Sequence, residues 1–488
     1  MRSVFPPVPV MLRHVQVWPS RDGLVTSVWS IRRMRWIAIA VLAAGCADAL
    51  PSEREQRVID ALADDNYVWS LRDPELVARK LTKMQRGPYE WLRGTASLYW
   101  RDLTELGDRT STSFGDAASS RVLLVGDPHP ENVGTFRAGD GTMIVDWNDL
   151  DAAGYGPFTA DVRRLAVGLI IAADTTDETF ATELATRALQ GYVAQLARPQ
   201  MLIRIGMHPL LDKELTKARG RGDDHFALDE LAPSTAGSRY VAFGDLEPVA
   251  EDGVYEDTLV PVGAEAASWI DAAVAQWASG RGESATVKLR ARRYGAGVAS
   301  YAALRYNVVL EGPTTALDDD HVIELKEERD GLVLHGVPQL EVGEWASPAA
   351  RVVDAQRRLQ SRRDADPRLG SADLGGLSLK VRDREAYQRG LDHLDLAALA
   401  AGSASKRVQL LDLAELLGGL LASAHGNART LDGQLGSAVI APVIAGREDA
   451  FVAELVNSAR TEAAQVIVDH AALKERDLAA LVIPPEAR

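Results

Sequence analysis

Apolar positions recur at helical spacing from Leu76 to Lys83 and again from Tyr89 to Leu106, with Gly87-Pro88 breaking the two runs. The pattern then shortens. Arg121-Val-Leu-Leu-Val125 is a β-branched run that enters a Gly-Asp-Pro turn, which predicts a strand. Met143-Ile-Val145 predicts another, and Gly139-Asp-Gly141 before it is a hairpin turn signal. Asp161 stands where it would cap an amphipathic helix from Val162 to Ala173, and Thr176 opens the next. Residues 212–260 are charged and poorly periodic, so they read as an insertion. From about residue 286 strands return: Ala302 to Leu310, an acidic turn at Asp318-Asp-Asp320, and Val322 to Lys326 predict a β-hairpin. After Pro348, Ala-rich amphipathic stretches at 350–361, 394–424 and 447–482 predict helix almost to the end. No repeat of solenoid or propeller period is visible. The expected class is α+β or mixed α/β, largely helical, with a small β-rich unit between helical parts.

Composition narrows this further. The chain has 488 residues, 46% apolar and 25% charged, enough for one large domain or two to three smaller cores. That mixture excludes a disordered chain, a collagen-like fibre and a polytopic membrane protein. A single cysteine, Cys46, excludes a disulfide framework and any Cys-based zinc site. The net charge of −15 argues against nucleic acid as a partner, because broad contact with phosphates needs a basic surface.

Cys46 has a notable setting. Arg32, Arg33 and Arg35 precede the apolar run Trp36 to Ala44, and Gly45-Cys46 follows. A basic segment, a short apolar stretch and small residues at the cut describe a secretory signal, and the run is too short to span about 30 Å of hydrocarbon. Leu42-Ala-Ala-Gly-Cys46 resembles the bacterial lipoprotein lipobox, with Leu42 one place further from the cysteine than usual. The resemblance implies a lipidated Cys46, membrane attachment and a place in the cell envelope, on the periplasmic face or at an outer membrane where the host has one. Met11 and Met34 are alternative starts, since the leading segment is long and rich in Pro and Trp. The expected organisation is a signal over 1–46, a tether over 47–65, a helical catalytic-loop region over 66–285, a β-rich lobe over 286–345 and a helical region over 346–488.

The chemistry concentrates between Gly126 and Asp161. Gly126-Asp-Pro-His129-Pro-Glu-Asn132 is followed by Ile144-Val-Asp146-Trp-Asn-Asp149-Leu-Asp151 and then by Asp161. Acids and amides gathered on strand ends and turns can converge without being buried in a core. Asp127 and Asn132 are five apart across a loop, and Asp146 ends the next strand. That layout suits phosphoryl transfer, in which one carboxylate accepts a hydroxyl proton while an amide oxygen and a second carboxylate hold Mg²⁺ against phosphates. The plain alternative is a set of turn-forming Asp and Asn residues.

These residues resemble the catalytic loop and metal-binding strand of aminoglycoside phosphotransferases and other kinase-like enzymes. The resemblance implies Asp127 as base, Asn132 and Asp146 as metal ligands, and Asp161 as a brace for the loop; Asp149 is a further candidate metal ligand, and His129, a candidate catalytic residue, has no fixed role in it. A wider resemblance, to a bacterial family known as domain of unknown function 2252, rests on Pro88-Tyr-Glu-Trp-Leu-Arg93-Gly94, Gly126 to Asn132, Val145 to Asp151, Arg351-Val-Val-Asp-Ala-Gln356 and Leu421-Ala-Ser-Ala-His425. Arg93 and His425 become candidates with it.

Gly295-Ala-Gly297-Val-Ala-Ser300 and Lys326 are candidates for cradling the phosphates of ATP or of another phosphate-bearing ligand. They follow the catalytic loop, whereas in ordinary kinases the equivalents precede it. The resemblance thus implies a kinase-like fold with circularly permuted lobe order, and Asp354 or Glu327 as the acid that holds Lys326. Two rival functions stand beside phosphotransfer. One is a metal-dependent phosphohydrolase using Asp127, His129, Asp146 and Asp149, although no Asn-His pair supports it. The other is a non-catalytic kinase-like binding protein at the envelope. A Ser-His-Asp hydrolase has no Gly-x-Ser-x-Gly elbow here.

Overall fold

The computed structural model describes residues 51–105, 111–220, 231–233, 239–241, 252–314, 319–331, 345–384 and 387–488. Cys46 and the expected signal lie outside these residues, as does about half of the expected insertion. The chain divides into two units, Met1–Gln56 and Arg57–Arg488. Of the first, only the opening of helix α1 (Glu53–Arg72) is described. Much of the expected tether is therefore helix, with Val58, Ile59 and Leu62 buried on one face.

Within the second unit, Asp73 caps α2 (Pro74–Gln85) by accepting from the Leu76 N–H, and Pro74 takes the first helical position. Gly87-Pro88 starts α3 (Pro88–Gly94), and Thr95 separates it from α4 (Ala96–Glu105), so the expected single helix is two. The strands β1 (Val122–Leu124), β2 (Val133–Arg137), β3 (Met143–Trp147) and β4 (Gly154–Gly156) follow. β2 and β3 form the expected hairpin, with Gly134 opposite Asp146, while β1 pairs with β4.

Helix α5 (Phe158–Ala172) corrects one expectation. It begins before Asp161, which lies in its first turn instead of capping it, and it is buried nearly all round. Around it pack α6 (Glu178–Leu196) and helices from the C-terminal third, while α7 (Pro209–Gly220) lies against β2 and β3. Gly191 and Gly418 lie where α6 meets the later helix Ala404–Asn427, so close that a Cβ at either would strike a carbonyl of the facing backbone.

A short pair, β5 (Leu231–Pro233) and β6 (Arg239–Val241), precedes a six-stranded antiparallel sheet. The sheet contains β7 (Thr258–Pro261), β8 (Val287–Tyr294), β9 (Arg305–Leu310), β10 (His321–Glu328), β11 (Gly370–Leu374) and β12 (Leu377–Asp383), in the order β11-β12-β10-β9-β8-β7. The last two strands fall where helix was expected. A Gly375-Gly376 turn, both residues at positive φ, and the alternation of Leu377-Ser-Leu-Lys-Val-Arg-Asp383 explain them. Side chains alternate across the sheet. Tyr306, Val308, Ile323, Leu325, Leu379 and Val381 pack on helix α8 (Ala264–Gly280), while Arg305, Glu324, Lys326, Lys380 and Arg382 share the other face. Helix α9 (Pro348–Leu359) crosses between β10 and β11. The C-terminal region is helical, with α10 (His393–Ala400), α11 (Ala404–Asn427), α12 (Gly436–Ile444), α13 (Glu448–Leu473) and α14 (Leu478–Val482). No described helix is long and apolar enough to cross a membrane.

Candidate functional site

The loop after β1 is built by one turn of helix. Gly126 takes φ +89°, a conformation that side chains rarely adopt, and the chain turns there. The fully buried Asp161 carboxylate accepts the Val125 N–H at 2.7 Å and the Gly126 N–H at 3.1 Å. His425 Nε2 lies 3.1 Å from the same carboxylate, and its Nδ1 is 2.9 Å from the Tyr192 hydroxyl. Three residues further along α5, Arg164 donates to Asp127 Oδ1 at 2.8 Å and to the Leu92 carbonyl at 2.7 Å. Asp127 Oδ2 lies 3.8 Å from His129 Nε2. The Asn132 side-chain amide donates to the Asp127 carbonyl at 2.9 Å, which leaves Oδ1 as its acceptor atom.

The other loop residues anchor it. His129 is buried, with Nδ1 3.4 Å from the Tyr89 hydroxyl. Burial pushes its imidazole down to about 4, against the pull of Asp127. Arg93 reaches Glu131 at 2.6 Å, and Glu131 also receives His393 Nδ1 at 2.6 Å. Burial opposes ionisation of Glu131, but the His393 hydrogen bond and the Arg93 charge bring it down to about 2. Glu131, Asp392 and His393 form a three-ligand cluster, yet each is already engaged: Asp392 accepts the Leu394 N–H at the start of α10. Arg93 thus touches Glu131, and no contact joins it to Asp127.

Beyond the hairpin, three acids differ in their surroundings. Asp146 is completely buried, and its oxygens accept from the Ser361 N–H (2.7 Å), the Ser361 hydroxyl (2.6 Å) and the Trp147 N–H (2.9 Å). Burial raises its carboxyl to about 6 despite these bonds. Asp149 keeps about a third of its side chain exposed and lies 3.3 Å from Lys326 Nζ. Asp151 pairs with Lys326 through one oxygen and with Lys380 through the other, at 3.1 Å. Burial opposes it, but the two lysines hold the Asp151 carboxyl well below the usual range. Glu328 lies 3.2 Å from Lys380, and burial together with Asp151 lifts it to about 7.

Lys326, carried by β10, is therefore brought to the acidic motif, but not by the acids expected. Glu327 is next on the strand, faces away and accepts from Arg72 at 2.8 Å, while Asp354 accepts from Trp345 and Arg358 at 2.9 Å. The Gly295–Ser300 segment is turned to other partners. The Gly295 carbonyl accepts from Lys83 at 3.0 Å, and a Cβ at Gly295, which has positive φ, would strike the Tyr255–Asp257 backbone. Gly297 also has positive φ, and Ser300 Oγ accepts from Arg305 at 2.6 Å. Arg164, Ser361 and Lys380 were not among the expected site residues, and Asp151 was expected in the acidic motif without a role. The alternation around Lys380 was the available signal for that lysine.

Fold and site define an α+β protein in which a helical body carries an acidic loop and an antiparallel sheet turns a cationic face towards it. Residues 72–476 match the family described as an uncharacterized protein conserved in bacteria (DUF2252), and the chain belongs to that family. No curated protein and no solved structure matches it.

Proposed function

We propose that the chain is a kinase-like phosphotransferase that uses magnesium and ATP, or another phosphate-bearing ligand, at the Gly126–Asn132 loop, in an envelope protein tethered through lipidated Cys46. The observation that carries this reading is Lys326, which the sheet delivers to Asp149 and Asp151 from 175 residues beyond Asp151. A buried lysine in contact with exchangeable acids is placed to trade them for phosphate oxygens. In this reading Asp127 accepts the proton of the acceptor hydroxyl, and Asp161 holds the backbone that aims it. Asn132 Oδ1 and the Asp149 carboxylate are oxygen donors of the kind magnesium takes, and the ion would neutralise charge on phosphates. Asp149 suits this role better than Asp146, whose buried oxygens already bond Ser361 and Trp147.

One observation favours a non-catalytic binding protein instead: buried Arg164 occupies an oxygen of Asp127. The phosphohydrolase reading draws no support, since Asp127, His129, Asp146 and Asp149 form no three-ligand cluster among the described residues.

The test is the melting temperature of the full chain with Mg²⁺, ATP and both, against Asp149→Asn. Ligand at 100 times its Kd stabilises a fold by about 2.7 kcal/mol, a rise of a few degrees. A magnesium-dependent rise with ATP that Asp149→Asn abolishes is expected. No rise with ATP overturns the phosphotransferase reading, and a rise without turnover of any acceptor moves it to the binding protein. Release of Cys46→Ser from the membrane fraction tests the tether.

A further inference from the structure

Next to Asp149, the hairpin and the linker after β12 enclose a cleft of about 120 Å³ lined by Thr135, Asn148, Arg382, Arg384 and Arg389 among others. Several of the cations here share an acid. Glu324 receives Arg382 at 2.8 Å, but also Arg293 at 2.5 Å and Arg305 at 3.4 Å. Glu214 receives Arg389 Nε at 2.7 Å, but also Lys217 at 2.9 Å. Both terminal nitrogens of Arg389 and Nη1 of Arg382 are without hydrogen-bond partners among the described residues. Asp257, which also takes Arg293, lies close enough to Arg384 to feel its charge. One glycine makes room for the neutral donor in this cleft: a Cβ on Gly134 would lie 2.5 Å from Asn148 Nδ2.

We infer that this cleft binds the phosphate group of a phosphomonoester. Guanidiniums from a strand and a linker, with an amide between them, offer more donors than the two oxygens of a carboxylate use. A phosphate brings three acceptor oxygens and nearly two charges. At about 120 Å³ the cleft has room for one anionic group. The inference stands apart from phosphoryl transfer: Asn148 lies between Asp146 and Asp149, so an anion here neighbours the candidate centre whatever that centre does.

The test is calorimetric titration of the full chain with inorganic phosphate, and separately with acetate, without magnesium or ATP. Phosphate is expected to bind and acetate to bind at least tenfold more weakly. Arg389→Gln and Asn148→Asp are each expected to weaken phosphate by about tenfold or more, the cost of losing a charge-assisted bond or adding a like charge. Asn148→Asp preserves side-chain size, and melting transitions verify that the variants fold. No phosphate binding by the wild-type chain, or an unchanged Kd in both variants, overturns the inference. So does loss of phosphate binding in Lys326→Gln with retention in Arg389→Gln, which would place the anion on Lys326. Because ATP and magnesium are absent, failure of the phosphotransferase reading leaves this result untouched.

Discussion

On the helical side of the candidate site, the Asp161 carboxylate meets two backbone N–H groups and His425, inside a core built from Leu165, Leu169, Tyr192 and Leu421. On the sheet side, Glu324 sits among three arginines and Glu328 reaches Lys380, while Lys326 pairs with Asp149 and Asp151 and Lys380 also with Asp151, acids that follow the hairpin across the gap. The helical wall balances its charge internally, and short-range bonds set its geometry before any ligand arrives. The sheet wall leans in part on the facing acids, since Lys326 has its carboxylate partners there. A phosphate can compete with those acids, so the sheet wall is the one expected to respond to ligand.

Removing Asp161 tests the helical wall most severely. Asp161→Ala leaves the Val125 and Gly126 N–H groups and His425 without their buried acceptor and is expected to cost about 3–5 kcal/mol by denaturant unfolding. A cost below about 1 kcal/mol would show that the loop is held by other means.

The pH dependence of stability separates the two buried groups flanking the loop. His129 takes a proton near pH 6.5 when unfolded but only near 4 when folded, so the unfolded state binds more protons between these values. Stability therefore falls as pH drops through that window, by up to about 3 kcal/mol at roughly 1.4 kcal/mol per unit. Asp146 acts in the opposite sense: its folded value of about 6 means the native state holds the extra proton, and stability rises as pH drops from 6 towards 4. In His129→Gln only the second effect remains, so the melting-temperature gap between wild type and variant should change in the variant's favour as pH falls from 6.5 to 4. A constant gap would mean His129 is not held neutral.

Glu324→Gln probes the sheet wall and keeps the side-chain shape. It should cost about 2 kcal/mol, the order of a hydrogen bond to a charged group, and added phosphate should restore part of the loss. Equal loss with and without phosphate would remove the contrast between the walls. The smallest effect is expected away from both. Arg187→Ala breaks exposed pairs with Glu415 at 2.8 Å and Asp412 at 3.3 Å and should change stability by less than about 0.5 kcal/mol.

Much of the loop was legible because it is local. The Gly-Asp turn, the Asn five residues later and the hairpin all depend on short spacings, and the role of Asp161 as a brace followed from the kinase-like resemblance. The difference between Asp146 and Asp149 was not legible, since both are acids at the end of one strand. Only packing against Ser361 buries the first and leaves the second open. The partner of Lys326 was misread for a reason the chain does contain: consecutive strand residues face opposite ways, so Glu327 had to leave the site. The strands of residues 370–383 were hidden by an expectation of continuous helix, and Lys380 with them.

What the sequence by itself determined is the chemistry within reach of a few residues: the turn at Gly126, the acids and amide around it, and the alternation that splits the sheet into apolar and cationic faces. The tertiary structure alone decided which charges meet. Strand register set Lys326 beside Lys380, and the docking of sheet on hairpin gave both lysines to Asp151. Local geometry follows from backbone periodicity over a few residues, whereas pairing between distant segments depends on how whole elements bury their surfaces against one another.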